Sequence, residues 1–360
     1  MAGGEAQCRL DLDPNEASAM LRVEHPSLLT DHGWDRAFWI ALDSGDVTDC
    51  IAVIGHSGKG GGDAVWDIER LRTRRRGDPG KAEDAEALAR RDGWVYAFGS
   101  QYGGGDGPLQ PERAFVARFR EADVDHVDHE PAVDIEIAHT ELRLHRLVND
   151  ALSETGPELA PLGEHTRRAF IDKTREQAAG APWLRRLQDG DVPINVEGAT
   201  FRADGTLLLG LRFPVAADGR PLLVSIAGIE RLFGGGEPEI LGFWVVDAIG
   251  RNGGMAGVRD LDQVGDVLHL ITGDLDSAKK DSVVRRDHPS GRDTMSTHWR
   301  TTLPDGRHGG EVSAERVREF PELPRIEGIA TDAEGRFFYV SDEDEGVLLR
   351  FTTLVAAPPP

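Results

Sequence analysis

A short phrase recurs along this chain: an acid and a small residue, a turn, then a run of apolar residues. Val196-Glu197-Gly198-Ala199-Thr200 leads through Ala203-Asp204-Gly205 into Leu207-Leu208-Leu209-Gly210-Leu211. Ile326-Glu327-Gly328-Ile329-Ala330 leads through Ala333-Glu334-Gly335 into Phe337-Phe338-Tyr339-Val340-Ser341-Asp342. Ala85-Glu86-Ala87-Leu88-Ala89 leads through Arg91-Asp92-Gly93 into Trp94-Val95-Tyr96-Ala97-Phe98-Gly99-Ser100. Unbroken apolar runs of this length between turn signals predict strands buried on both faces, and alternating runs predict strands with one wet face. Asp-Gly at 92–93, 204–205, 218–219 and 305–306 predicts tight type I′ hairpins, in which both central residues need positive φ. After the second of these turns, Leu222 to Ile226 and then Leu241 to Asp247 continue one antiparallel sheet outward.

The phrase works as a ruler. A degenerate copy at Val258-Arg259-Asp260-Leu261 precedes Val267 to Asp274, and a weaker one at Arg22-Val23-Glu24 precedes Phe38 to Asp43. Neighbouring copies lie about 60 residues apart, except for the longer interval from Glu86 to Glu197, which calls for a hidden unit near Val133-Asp134-Ile135-Glu136. Six such units fill residues 1–360 as one domain, and the architecture expected is an all-β, six-bladed β-propeller. Cys8 to Asp13 alternates like an outer strand, and pairing with Val347 to Phe351 would close the ring by joining its two ends.

One stretch departs from strand patterning. His139 to Glu154 and Glu164 to Gln177 carry apolar residues at helical spacing, separated by Gly156-Pro157 and Pro161-Leu162-Gly163, and Ala181 to Leu187 adds a short turn. Residues 139–190 are therefore expected to form a helical insertion, either a contact face over the propeller or a surface excursion without chemistry.

Composition narrows the partners. The formal charge of −22 and pI near 4.9 make nucleic acid an improbable ligand. No apolar stretch is long enough for a bilayer, and no basic-then-apolar leader follows Met1, so the sequence reads as a cytoplasmic protein away from membranes. Two cysteines cannot supply a disulfide framework.

Candidate chemistry follows from the ruler. The acids Glu86, Glu197, Asp260 and Glu327 stand at matching places before the innermost strands, which in a propeller line the central channel. Carboxylates gathered there must be compensated. A hard divalent cation such as Ca²⁺ is one means, pairing with Arg212 and Arg259 is another, and capture of backbone N–H groups as a structural latch is a third. His269, on an inner strand, joins Arg212 and Arg259 as a candidate substrate-binding residue.

Glu197-Gly198, Glu327-Gly328, Gly210-Leu211-Arg212-Phe213-Pro214, Arg259-Asp260 and Tyr339-Val340-Ser341-Asp342-Glu343 resemble the bacterial domain of unknown function 3616 over most of Asp84 to Arg350. That resemblance implies a propeller without naming a reaction. More distantly, the Glu-Gly phrase resembles the esterase-like phytases and the gluconolactonase/regucalcin propellers. In the latter a comparable Glu binds metal, which singles out Glu197 and Glu327. Two functions remain. One is a metal-dependent hydrolase of small phosphoesters, esters or lactones at the channel mouth. The other is a non-catalytic propeller that binds a small ligand or a protein partner while the acids serve structure.

Other motifs are weaker. Gly55 to Gly62 misses the phosphate-loop pattern, with Gly60 after Lys59 and Val53 five positions before Gly58. Asp125-His126-Val127-Asp128-His129-Glu130 has metal-ligand residue types but reads as a solvated acidic loop. Ser341 to Gly346 reads as a polar turn.

Overall fold

The computed structural model describes residues 7–11, 17–43, 45–58, 65–76, 80–127, 130–249, 254–276, 282–292, 294–321, 325–341 and 348–355. Their strands assemble into five sheets. In chain order the innermost strands are Ala17–Arg22, Ala85–Arg91, Asn195–Phe201, Gly257–Val264 and Ile326–Thr331, and each lies beside the next, the last beside the first. Each sheet grows outward by antiparallel pairing, as in Asn195–Phe201, Leu207–Phe213, Leu222–Ala227 and Glu239–Asp247. The arrangement is propeller-like. The apolar runs read from the sequence are the second strands, with Leu207–Phe213 wholly buried between neighbours.

Five sheets stand where six units were expected, and the hidden unit explains the difference. Val133 to Glu136 belongs to the strand Glu130–His139, which pairs with Phe115–Arg120 as an outer strand of the second sheet. The long interval after Glu86 is filled by helices instead: Arg143–Thr155, a run from Glu164–Arg167 through Arg168–Asp172 to Lys173–Gln177, and the turn Pro182–Arg186. The first helix begins after His139, because Glu141 and Leu142 take positive φ and break the strand from the helix.

Closure follows the sequence expectation. Gln7–Asp11 pairs antiparallel with Leu348–Val355, Leu10 opposite Leu349, and completes the fifth sheet. Two outer strands also cross to a neighbour. Arg72–Arg76, which follows the first sheet, pairs in parallel with Glu130–His139 of the second. Gly310–Ser313, which interrupts the fourth sheet, pairs in parallel with Glu239–Asp247 of the third.

The hairpins are more varied than the Asp-Gly signal suggested. Asp92 and Gly93 both have positive φ, as type I′ requires. At 204–205 and 218–219 only the glycine does, and the aspartate side chain instead accepts from the backbone N–H two residues on, Thr206 at 2.8 Å and Arg220 at 3.2 Å. No helix among the described residues is long and apolar enough to cross a membrane.

Candidate functional site

Every innermost strand carries an irregularity at the same place. The ladders skip one residue between Ala17 and Ala19, Ala85 and Ala87, Val196 and Gly198, Val258 and Asp260, and Ile326 and Gly328. A β-bulge re-aims the extra side chain out of the ladder, so the equivalent positions are Ser18, Glu86, Glu197, Arg259 and Glu327. The recurring acid is the bulge residue. The small residue after it is where adjacent inner strands touch: a Cβ on Gly198 would lie 3.1 Å from the Asp260 backbone, and one on Gly328 2.9 Å from the Met20 nitrogen.

The fourth strand therefore breaks the series with a cation. Arg259, not Asp260, occupies its bulge, and its Nη1 lies 3.3 Å from Glu197 Oε2 while its Nη2 pairs with Glu327. Arg212, skipped in the ladder of the second strand, donates from Nη1 to Glu197 Oε1 at 2.6 Å and from Nε to the Asp274 carbonyl at 3.0 Å. Glu197 is thus gripped from both sides and is only 3% exposed. Loss of solvation, then the adjacent Arg212, brings Arg259 down to about 10, although the neighbouring carboxylates oppose this. The sequence reading offered both arginines to a substrate; in the structure each guanidinium is engaged with carboxylates of the protein.

Asp260 turns elsewhere. Its Oδ1 accepts from Leu261 N at 2.8 Å, and its Oδ2 accepts from Ile329 N at 2.8 Å and Met20 N at 3.3 Å. One buried carboxylate therefore links the fourth inner strand to the fifth and the first, which is the latch among the three alternatives. Burial raises its pKa well above the usual range, against N–H donors that favour the ionised form. His269 does not join the acids either. Its Nδ1 lies 2.9 Å from His298 Nε2, whose ring contacts Tyr339 Oη through Nδ1 at 2.8 Å, and it packs on Phe337 between sheets. Loss of solvation lowers it to about 4, so the chain of rings is neutral at pH 7.

Glu86 differs from the other bulge acids. Among the described residues no arginine forms an ion pair with it, and it is half-buried. Asp84, two residues earlier, and Asp43, at the end of the adjoining strand Arg36–Leu42, bring carboxylate oxygens to within 4.8 Å of one another and of Glu86. Arg113 Nη1 holds Asp84 Oδ1 at 2.7 Å, and Ser100 Oγ donates to Asp84 Oδ2. Loss of solvation raises Asp84 to about 6, despite Arg113 and Ser100. Loss of solvation, then the charges of Asp84 and Glu197, pushes Glu86 well above the usual range. The set is all oxygen, as a hard cation requires, and oxygens bound at opposite sides of Ca²⁺ stand roughly 4.6–5.2 Å apart. The three carboxylates are thus able to bind a metal ion.

Asp43 was not among the sequence candidates. Its signal was present nonetheless: an acid directly follows the apolar second strand at Leu42-Asp43, Gly273-Asp274 and Ser341-Asp342. Glu24 lies beyond its strand and pairs with Arg22 and Arg90. Of the weaker motifs, only parts are described. His56 Nδ1 meets Asp35 Oδ1 at 2.7 Å. Lys59 to Gly62, Asp128, His129 and Asp342 to Gly346 lie outside the described residues.

The helical insertion packs on the loops at this same end of the inner strands. Leu142, Ala160, Phe170 and Leu187 share a buried cluster with Tyr102, Ala114 and Phe213, and the Tyr102 and Phe170 rings stack with centroids 4.2 Å apart. Asp287 ties the insertion down, accepting from Thr166 N at 2.7 Å and meeting His165 Nδ1 at 2.6 Å.

No protein-family model matches the chain, and no curated protein matches it. Among solved structures it is similar to a mannose phosphorylase from Leishmania mexicana in complex with phosphate ion, at 10% identity over 94% of this chain and 84% of that one, with a TM-score of 0.38. It is also similar to a Trichoderma reesei protein of carbohydrate-active enzyme family AA12 in a calcium structure, at 9% identity over 99% and 97% of the two chains, TM-score 0.41. A glucose dehydrogenase matches at 11% identity over 97% and 84%, TM-score 0.34.

Proposed function

We propose that the chain is a hydrolase of small ester or lactone substrates, acting at the channel mouth with a divalent cation on Asp43, Asp84 and Glu86. The observation that carries this reading is their convergence from two adjacent sheets, with Glu86 held by no arginine among the described residues while Glu197 and Glu327 are so held. Carboxylates outnumber guanidinium groups here: Asp43, Asp84, Glu86, Glu197 and Glu327, with Asp274 and Asp276 nearby, surround Arg113, Arg212, Arg259 and Arg285. A divalent cation would offset part of that excess. Without a cation, protons fill that role, which is the direction in which Asp84 and Glu86 are shifted.

When bound, the cation would supply Lewis acidity and a more acidic water. The protein's own groups do the rest: Arg113 orients Asp84, while Arg212 and Arg259 fix Glu197 and Glu327 beside the mouth. The carboxylate excess that one cation leaves uncompensated disfavours a phosphoester and favours an uncharged acyl substrate. Three of the four expected acids are tied within the fold, which favours the second reading, a non-catalytic propeller with a structural ion.

The two are separated by metal analysis of the purified full chain, melting with EDTA and with Ca²⁺, and turnover on ester and lactone panels. Bound metal, a chelator-sensitive melting point, and turnover lost in Glu86→Gln are expected. A metal-free protein indifferent to EDTA and Ca²⁺ sinks the proposal, and metal without turnover leaves the structural ion.

A further inference from the structure

We infer that the channel mouth takes an uncharged, hydroxyl-rich small molecule, read by Asn195 Oδ1, Tyr102 Oη and Arg113 Nε. This specifies the substrate class of the site proposed above and rests on that reading for its location, though not on the cation. All three atoms are buried and lack a hydrogen-bond partner among the described residues. Buried polar atoms are normally paired, and those that are not mark strain, function or a missing ligand.

Each sits beside an acid of the site: Asn195 at Glu197, Arg113 at Asp84, and the Tyr102 hydroxyl within range of the Glu197 charge. Asn195 opens the third inner strand and donates from Nδ2 to Glu197 Oε1 at 3.2 Å. That bond fixes the orientation of the amide, since a carboxylate accepts only, and leaves Oδ1 seeking a donor. Tyr102 and Arg113 lie on the loop between Trp94–Gly99 and Phe115–Arg120 of the neighbouring sheet. The Tyr102 ring, 4% exposed and stacked on Phe170, is held where the charges of Asp276, Arg212 and Glu197 act on its hydroxyl. Arg113 spends Nη1 on Asp84 and keeps Nε unpaired.

The chemistry of these atoms selects the ligand. Asn195 Oδ1 needs a donor, Arg113 Nε needs an acceptor, and the Tyr102 hydroxyl takes either. A phosphate or carboxylate ligand only accepts, so it leaves Asn195 unmet and faces the acid surplus. An ammonium ligand only donates, so it leaves Arg113 unmet. Hydroxyl groups do both without charge, and a molecule with several of them in fixed geometry meets the whole set. A site built to pair a ligand hydroxyl discriminates strongly against analogues that lack it.

The test uses the full chain, saturation-transfer NMR and calorimetry, with D-glucose, myo-inositol, glucose 6-phosphate and glucosamine as probes, each in EDTA and in Ca²⁺. At least one neutral polyol is expected to bind, and in EDTA more tightly than the phosphorylated sugar, which the carboxylates repel. Tyr102→Phe keeps the stacked ring and removes only the orphan hydroxyl. It should weaken polyol binding about tenfold while melting at or above the wild-type temperature. The inference is overturned if neither neutral polyol binds in either buffer, if Tyr102→Phe binds as the wild type does, or if that variant melts well below it, which would make the hydroxyl structural. Metal analysis is a separate readout: bound metal without polyol binding removes this inference and leaves the proposed hydrolase, and the converse leaves a metal-free polyol site.

Discussion

Replacing Asp260 decides whether this acid is a latch or a ligand. Its two oxygens receive three buried N–H groups, two of them from other sheets. Asparagine retains a single acceptor oxygen. With that oxygen turned to Ile329 and Met20, its NH₂ faces the Leu261 N–H, and one buried donor loses its acceptor. Such a loss costs about 1–3 kcal/mol, so Asp260→Asn should destabilise by about 2 kcal/mol. Alanine abandons all three donors, and its cost of about 4 kcal/mol is a large share of the stability of an ordinary domain. Urea unfolding followed by tryptophan fluorescence reads the difference, with a midpoint shift of roughly half a molar for Asp260→Asn. Cation affinity of the folded Asp260→Asn protein should equal that of the wild type, because its carboxylate is turned away from Asp43, Asp84 and Glu86. The reasoning is refuted if Asp260→Asn unfolds at the wild-type midpoint, or if it stays as stable and loses the cation.

Two further predictions concern the carboxylates and the inner ring. Asp84 is raised from 3.8 to about 6 on folding, so its stabilising contribution is fully present below the ordinary carboxylate pKa and is lost as pH rises through about 6. In EDTA the wild type should therefore lose about 2 kcal/mol through Asp84 between pH 4 and pH 7, with Glu86 acting in the same direction. Asp84→Asn, tolerated at its positive φ, should flatten that slope, and equal slopes in melting-against-pH curves would count against the shift. Gly328→Ala places a Cβ 2.6 Å from Val340 Cγ1 and 2.9 Å from the Met20 nitrogen, so about 2–3 kcal/mol of destabilisation is expected in the same urea assay, and a neutral result would contradict the close approach.

Much of the architecture was legible because it rests on local chemistry. The apolar second strands, the turns and the closing pair Gln7–Asp11 with Leu348–Val355 all follow from patterning over a few residues. The blade count did not, because the ruler assumed units of equal length. The helices from Arg143 to Arg186 stretch one connection without adding a sheet. The site was half legible for a related reason. A bulge has no composition of its own, so reading acids as equivalent placed Asp260 in the ring, where register gives the position to Arg259. Glu86, Glu197 and Glu327 were found because the bulge and the acid coincide there. Asp43 was hidden because it reaches Glu86 only through the packing of two sheets.

The crossing strands change how the molecule should come apart. In an open solenoid each repeat leans only on its neighbours, so ends fray first and stability is nearly a sum of local terms. Here Gln7–Asp11 fastens the segment before the first sheet to the fifth, Arg72–Arg76 ties the first to the second, and Gly310–Ser313 ties the fourth to the third. Asp260 adds a stitch from the fourth to the fifth and the first. Peeling one blade away means breaking hydrogen bonds in its neighbour as well. The ring is therefore expected to lose its slow-exchanging amide protons together, in one sub-global opening.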